Sequence, residues 1–253
     1  MMHLLPLSVI FFLTSIVSVV TGSTSLITVP AMLQFGIEPR SAIATNMLAL
    51  TLMSAGGGLS FQGRNIIDRR RLPLLSILTL GGSIIGAMLL LVIPSHAMPA
   101  IISILMIGVA LFSVMKGDRG VPAEKQEKSR LSEFSGYIIT FVLAIYGGFF
   151  SGGYVTMLTI AFVALFGMTL LQAVSTTKII NLFSSLVATL VFAWRGLVDY
   201  RLGILLGIVM FAGGLIGGKL ALKISSIWLR RVFLGVVLAL ALKTLFYDFL
   251  RHS

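Results

Sequence analysis

A lysine stands well inside an apolar run. Residues 173–185 read AVSTTKIINLFSS, near the start of an apolar stretch over 170–194. Roughly 20 apolar residues cross a bilayer as one helix, and at 1.5 Å per residue Lys178 lies about 12 Å in from the start of the stretch. That is too deep for an ordinary flanking lysine. A buried ammonium is costly unless something pairs with it, and an intramembrane charge marks a site by default. Asn181 and Ser185 follow at i+3 and i+7, a spacing that predicts one shared helix face. Thr177, beside the lysine, adds a hydroxyl. An ammonium, an amide and hydroxyls together are chemistry for holding an anion. The bland alternative is a lysine that pairs with backbone carbonyls or snorkels.

The rest of the chain must then surround that face. Of 253 residues, 57% are hydrophobic and 11% charged, and the mean hydropathy is +1.06. These values define a polytopic all-α membrane protein in contact with lipid, not a soluble domain. A net charge of +11 would suggest nucleic acid in a soluble chain. Here most cations fall in loops and at span ends, where they set orientation and meet anionic headgroups, and no nucleic acid is expected. There is no cysteine, so thiol chemistry and disulfides are excluded, and His3, His96 and His252 have no ligand spacing among them. No metal, no other cofactor and no catalytic constellation is expected, so the chain does not read as an enzyme.

In chain order, residues 1–20 lack the basic start of a signal peptide and run on into apolar sequence, which predicts uncleaved membrane segment. The stretch 7–37 is interrupted at Thr21-Gly22-Ser23-Thr24-Ser25 and at Pro30. As one helix it would be about 46 Å long, too long for a hydrocarbon core of about 30 Å and too short for two crossings. A broken or re-entrant segment is predicted, tolerated at depth only where it lines a cavity or is buried in protein. Spans are predicted at 41–60, 72–93 and 98–115, with a turn at Pro94-Ser95-His96. Residues 116–133 are the one long polar stretch, read as a cytoplasmic linker between a first repeat (1–115) and a second (134–253).

A shift of 131 residues without gaps aligns the halves. It matches Gly22 with Gly153, Phe35-Gly36 with Phe166-Gly167, Ala42 with Ala173 and Thr45 with Thr176. It continues through Ser54 with Ser185, Arg64 with Arg195, Asp68 with Asp199, Arg70 with Arg201, and Gly82 and Gly86 with Gly213 and Gly217. Shared hydrophobicity does not produce identities at glycines and at an R-x-x-x-D-x-R loop. The prediction is two homologous four-segment halves, about eight segments in all, each half opening with a broken or re-entrant segment. Secondary transporters use this architecture, with the site at the repeat interface.

The stretches TGSTSLITVPAMLQFGIEPRSAIATNMLAL and GGFFSGGYVTMLTIAFVALFGMTLLQAVSTTKIINLF resemble the sulfite exporter TauE/SafE-like permeases. The resemblance covers nearly the whole chain and implies a carrier for small sulfur-containing anions such as sulfite, thiosulfate or organosulfonates, in a bacterial inner membrane. Where that family usually carries a glycine cluster before the proline, this chain has Gly22-Ser23-Thr24-Ser25.

Independently of the resemblance, all eight acids lie in loops or near span ends, whereas a cation carrier would place a carboxylate at depth. Helix starts at the breaks would offer N–H groups and a positive dipole end. The predicted substrate-binding set is therefore Lys178, Asn181, Ser185, Asn46, Thr45, Thr177, Ser23, Thr24, Ser25, Gly152 and Gly153. Arg64 and Arg195, at matched membrane boundaries, are candidates for an anion-attracting vestibule or, more blandly, for topology. Asn46 and Asn181 have helix glue as their alternative, and the G-x-x-x-G pairs read as close packing.

Charge bias places the loop at Arg69 to Arg71 inside. In the second half the bias changes sides, with Lys223, Arg230 and Arg231 in the loop whose first-half counterpart is uncharged. That reversal favours inverted repeats. The sequence-level expectation is a secondary carrier working by alternating access. An anion channel and a non-transporting scaffold subunit are its rivals, and a homo-oligomer is left open.

Overall fold

The computed structural model describes residues 4–61, 66–115 and 128–221, which form helices and loops with no strand among them. The helices are α1 (Leu4–Thr21), α2 (Ser25–Gln34), α3 (Pro39–Leu59), α4 (Leu72–Val92), α5 (Met98–Met115), α6 (Arg130–Phe149), α7 (Tyr154–Phe166), α8 (Leu170–Trp194) and α9 (Tyr200–Ala221). Five of these, α3, α4, α6, α8 and α9, are long and apolar enough to cross a membrane. The last expected segment, Arg64 and residues 116–127 of the linker lie outside the described residues.

Local chemistry sets the limits. Glu38 caps α3 by accepting from the Ser41 amide at 2.7 Å, with Pro39 in the first turn where its missing N–H costs nothing. Thr169 and Gln172 form a reciprocal capping box at the start of α8. Ser129 caps α6, so Arg130 to Glu133, expected as the end of the linker, are the first turn of a helix instead. The chain breaks once within 7–37, at Gly22 to Thr24, leaving α1 about 27 Å long and α2 about 15 Å. The second interruption expected there, at Pro30, does not occur: Pro30 sits inside α2. Packing of α2 against its neighbours over Ser25 to Met32 keeps it helical across the backbone bond that Pro30 cannot make.

Contacts at the helix ends fix the directions. The hydroxyl of Ser132, at the start of α6, donates to the Leu165 carbonyl near the end of α7 at 2.8 Å, so this pair is a hairpin with both ends on one face. The start of α1 meets the residues after α2: Leu4, Leu7, Phe35 and Ile37 line one pocket. Ser175 of α8 donates to the Ile66 carbonyl at 3.1 Å, while Ser41 of α3 donates to the Leu197 carbonyl at 2.9 Å. Hence α3 and α8 run antiparallel between two faces. One face carries Ile66 to Arg71, Glu133 and the α7–α8 turn. The other carries Glu38, Arg40, Leu197 and Asp199, and here Arg40 donates to the Ile93 carbonyl beyond the end of α4.

The tall helices α3 and α8 form the centre and α4, α6 and α9 the flanks, whose outward faces show Leu, Ile and Val. Glycines let the flanks close in. A Cβ at Gly86 would stand 1.9 Å from the Ile145 carbonyl oxygen of α6, and one at Gly217 2.4 Å from that of Ile16 in α1. Those two G-x-x-x-G pairs are helix contacts, as their spacing implies.

Candidate functional site

Lys178 is 2% exposed, and its ammonium donates to the Ser18 carbonyl at 3.4 Å. It borders a cavity of about 10 Å³, room for one water, lined by Gly22, Thr24, Ser25, Leu50, Met53, Ser151, Val155, Lys178 and Asn181. Both chain breaks reach this space. Thr24 and Ser25 begin α2, Ser151 and Val155 flank the start of α7, and neither helix start has a side-chain cap. Helix N-termini carry about half a positive charge each. Two of them and an ammonium therefore face one small space that no carboxylate lines among the described residues.

The breaks are held by backbone geometry that glycine permits. Gly22 and Gly153 have φ of +73° and +77°. At Gly22 a Cβ would also lie 2.7 Å from the Thr156 nitrogen at the start of α7. The Ser23 and Thr156 hydroxyls are 2.8 Å apart, which ties the first break to the second helix start. Tyr146 donates to the Gly152 carbonyl.

The predicted residues divide into groups. Lys178, Asn181, Thr24 and Ser25 line the cavity. Asn181 donates to the Ser54 hydroxyl of α3 at 2.6 Å, and its side-chain amide oxygen is buried without a partner among the described residues. Ser23 and Asn46 stand one shell out. Asn46 donates to Ser25 at 2.9 Å and accepts from Thr28 at 2.7 Å, so it orients a lining hydroxyl. Ser185 is not among the residues lining the cavity: its hydroxyl donates to the Asn181 backbone carbonyl of its own helix at 2.7 Å. Thr177 is likewise turned away, donating to the Val174 carbonyl at 3.0 Å and meeting Thr159 at 3.3 Å.

Thr45 belongs to a loop anchor, accepting from the Asp199 amide at 3.0 Å. Thr176 does the same for the Asp68 amide at 3.4 Å. Gly152 and Gly153 serve packing: a Cβ on either would strike Phe150 and Leu26, or Val109. Arg195 is exposed, with its guanidinium 5.3 Å from the Trp194 ring centre.

Sequence reasoning missed Ser18, Ser54 and Ser151 as site residues. Ser151 has φ +65°, the one described non-glycine in that region, and adjoins the Gly152-Gly153 break that was singled out. Ser54 was matched to Ser185 by the 131-residue shift. The Ser18 carbonyl carried no sequence signal.

Long apolar helices, two half-length helices meeting at depth and an interior cation define an integral membrane protein with a polar site enclosed by its helices. The chain belongs to the sulfite exporter TauE/SafE family of membrane transporters, whose model matches residues 7–244. It is similar to the "Probable membrane transporter protein ORF9" of a Sinorhizobium species, with 29% identity over 96% of this chain and 93% of that one. It is also similar to the "Probable membrane transporter protein YfcA" of Escherichia coli K12, with 27% identity over 96% of this chain and 90% of the relative. A Haemophilus influenzae "Probable membrane transporter protein" is 27% identical over 84% of this chain and 81% of its own length. No solved structure matches.

Proposed function

We propose that the protein is a secondary carrier of the bacterial inner membrane for a small sulfur-containing oxyanion, working by alternating access between two inverted four-segment repeats. The observation that carries this reading is Lys178, buried at the point where both helix breaks converge, with no carboxylate beside it among the described residues. In a low-dielectric interior that charge calls for an anion. Thr24, Ser25, Ser151 and Asn181 would supply hydrogen bonds to its oxygens, and Asn46 holds Ser25 in place. The family's membership and the relatives' transporter names support transport.

Support for inverted repeats is geometric. The helix starts Pro39 and Leu170 differ by the same 131 residues as the sequence match. The loop anchors are reciprocal: Asp68 to Thr176 in one direction, Asp199 to Thr45 in the other. The α1/α2 hairpin enters from the Asp199 face and the α6/α7 hairpin from the Arg71 face. With Arg69 to Arg71 on it, and Lys128 and Arg130 at the start of α6, the Arg71 face is cytoplasmic in this reading. A carrier is favoured over a channel because the cavity has room for about one water and is not a continuous path.

The test is flux in proteoliposomes with sulfite, thiosulfate, sulfate, taurine and sulfoacetate. Lys178→Ala abolishes saturable uptake of the transported anion while the helical content and melting profile persist. A folded Lys178→Ala protein with unchanged flux removes the assignment, and flux that never saturates with anion concentration favours a channel.

A further inference from the structure

The two faces are closed differently. On one, Arg71 is 9% exposed and bonds to Asp68 at 2.6 Å and to Glu133 on α6, with its guanidinium 5.3 Å from the Phe166 ring centre at the end of α7. It therefore ties the α3–α4 loop to both arms of the α6/α7 hairpin. Burial works against its charge, yet Glu133 and Asp68 more than offset this and raise its pKa above the ordinary arginine value.

The 131-residue shift carries Asp68, Arg71 and Phe166 onto Asp199, Leu202 and Phe35. Asp199 keeps the local role of Asp68, accepting from the Leu202 amide at 3.0 Å as Asp68 accepts from the Arg71 amide at 3.3 Å. The cation is replaced by leucine. Around these same three residues, where the other face has its ion cluster, lies a pocket of about 300 Å³ between the α1/α2 hairpin and the start of α9. One face is filled by a charged knot, and the matching place on the other is a hollow edged by Asp199 and Arg201.

We propose that Arg71, Asp68 and Glu133 are a latch that holds the carrier shut on the Arg71 face, and that the Asp199 face, lacking it, is the one that opens at rest. The inference rests on the alternating-access reading. Opening the Arg71 face must separate the α6/α7 hairpin from α4 and its loop, which breaks the Arg71–Glu133 bridge. Removing one partner leaves a partly buried charge uncompensated, so each partner is needed. On the Asp199 face the place of Arg71 is taken by Leu202, and Asp199 and Arg201 edge the space between the hairpin and α9.

The absence of native cysteine allows a clean test. A Ser151→Cys reporter on the cavity wall is labelled from each side of oriented membrane vesicles with a charged, impermeant methanethiosulfonate. In the parent, labelling comes mainly from the Asp199 face. Arg71→Leu, which copies Leu202, raises labelling from the Arg71 face at least about fivefold, the lower end of ordinary coupling between states. Glu133→Gln, which spares the Arg71–Asp68 pair, moves it in the same direction and decides the matter if Arg71→Leu does not fold. Leu202→Arg, placed to reach Asp199, lowers labelling from the Asp199 face, a gain that mere loss of stability would not produce.

Unchanged sidedness in Arg71→Leu or Glu133→Gln overturns the latch. Anion flux is read in matched vesicles of the same proteins without the Ser151→Cys reporter. Absence of flux in the parent with the labelling shifts intact counts against the transport reading alone. Flux with no labelling shift removes the latch alone.

Discussion

Gly22→Ala isolates the physical requirement at the first helix break. Gly22 has φ +73°, where an L side chain costs about 1–2 kcal/mol. The added Cβ would also stand 2.7 Å from the Thr156 nitrogen and 3.0 Å from the Val155 carbonyl carbon, both backbone atoms that do not swing aside. Overpacking of this kind costs about 1–3 kcal/mol, so the total is about 2–5 kcal/mol. Gly36 provides the control. Its φ is +80°, and a Cβ there meets nothing within 4 Å, so Gly36→Ala bears only the conformational cost of about 1–2 kcal/mol.

The two variants are compared by thermal unfolding in detergent, followed by circular dichroism. At about 2–4 °C per kcal/mol for a chain of this length, Gly22→Ala melts several degrees below Gly36→Ala. Transport falls in Gly22→Ala, because the residue that must shift begins the helix lining the cavity, and is retained in Gly36→Ala. Equal melting losses in the two variants would refute the claim that close approach of the two breaks, and not backbone hand alone, demands glycine at 22.

Four further outcomes follow from the same geometry. Thr45→Val and Thr176→Val each orphan a loop amide, that of Asp199 or Asp68, and each lowers stability by about 1–2 kcal/mol in denaturant titration; neutrality of both removes the reciprocal anchors. Arg70→Cys and Tyr200→Cys, both exposed, are labelled from opposite sides of oriented vesicles, and labelling from one side sinks the inverted arrangement. Ser185→Ala leaves the apparent affinity for the anion unchanged, since its hydroxyl is spent on its own helix, whereas Ser54→Ala, which frees Asn181, weakens it several-fold in uptake assays.

The fourth concerns pH. Burial raises the Glu38 carboxyl, but hydrogen bonds from Ser95 and from the Ser41 and Arg40 amides, with the Arg40 charge, outweigh it and hold the pKa below the ordinary 4.5. A depressed carboxyl stabilises the fold above its unfolded pKa, and that contribution is lost as pH falls below it. Between pH 6 and pH 3 the wild type therefore loses more thermal stability than Glu38→Gln, and parallel curves would refute the cap.

Much of the site was legible because membrane burial makes certain residues conspicuous in one dimension. Lys178 stood out by depth, since a charge far inside an apolar run has few innocent explanations. The breaks at Gly22 and Gly153 stood out because glycine adopts a left-handed turn at least cost, and the 131-residue spacing placed it at two such breaks. The start of α5 and both limits of α8 match the expected 98 and 170–194 because apolar length sets them. Pro30 misled, because a proline's cost depends on what surrounds the helix, and that is a tertiary fact.

The sequence by itself determined the class of protein, its tall helices, its helix breaks and its one deep cation, because bilayer crossing and glycine conformation are local requirements. Only the tertiary structure decided which polar groups meet. Helical spacing put Ser185 and Asn181 on one face, but a hydroxyl can satisfy its own backbone, and Ser185 does. Ser54 and Ser18 joined the site from other helices, through contacts 127 and 160 residues apart in the chain. The difference between the two faces is of the same kind: Arg71 and Leu202 differ in sequence at matched places, yet that one closes a charged knot and the other edges a hollow depends on what α6, α7 and α1 bring to them.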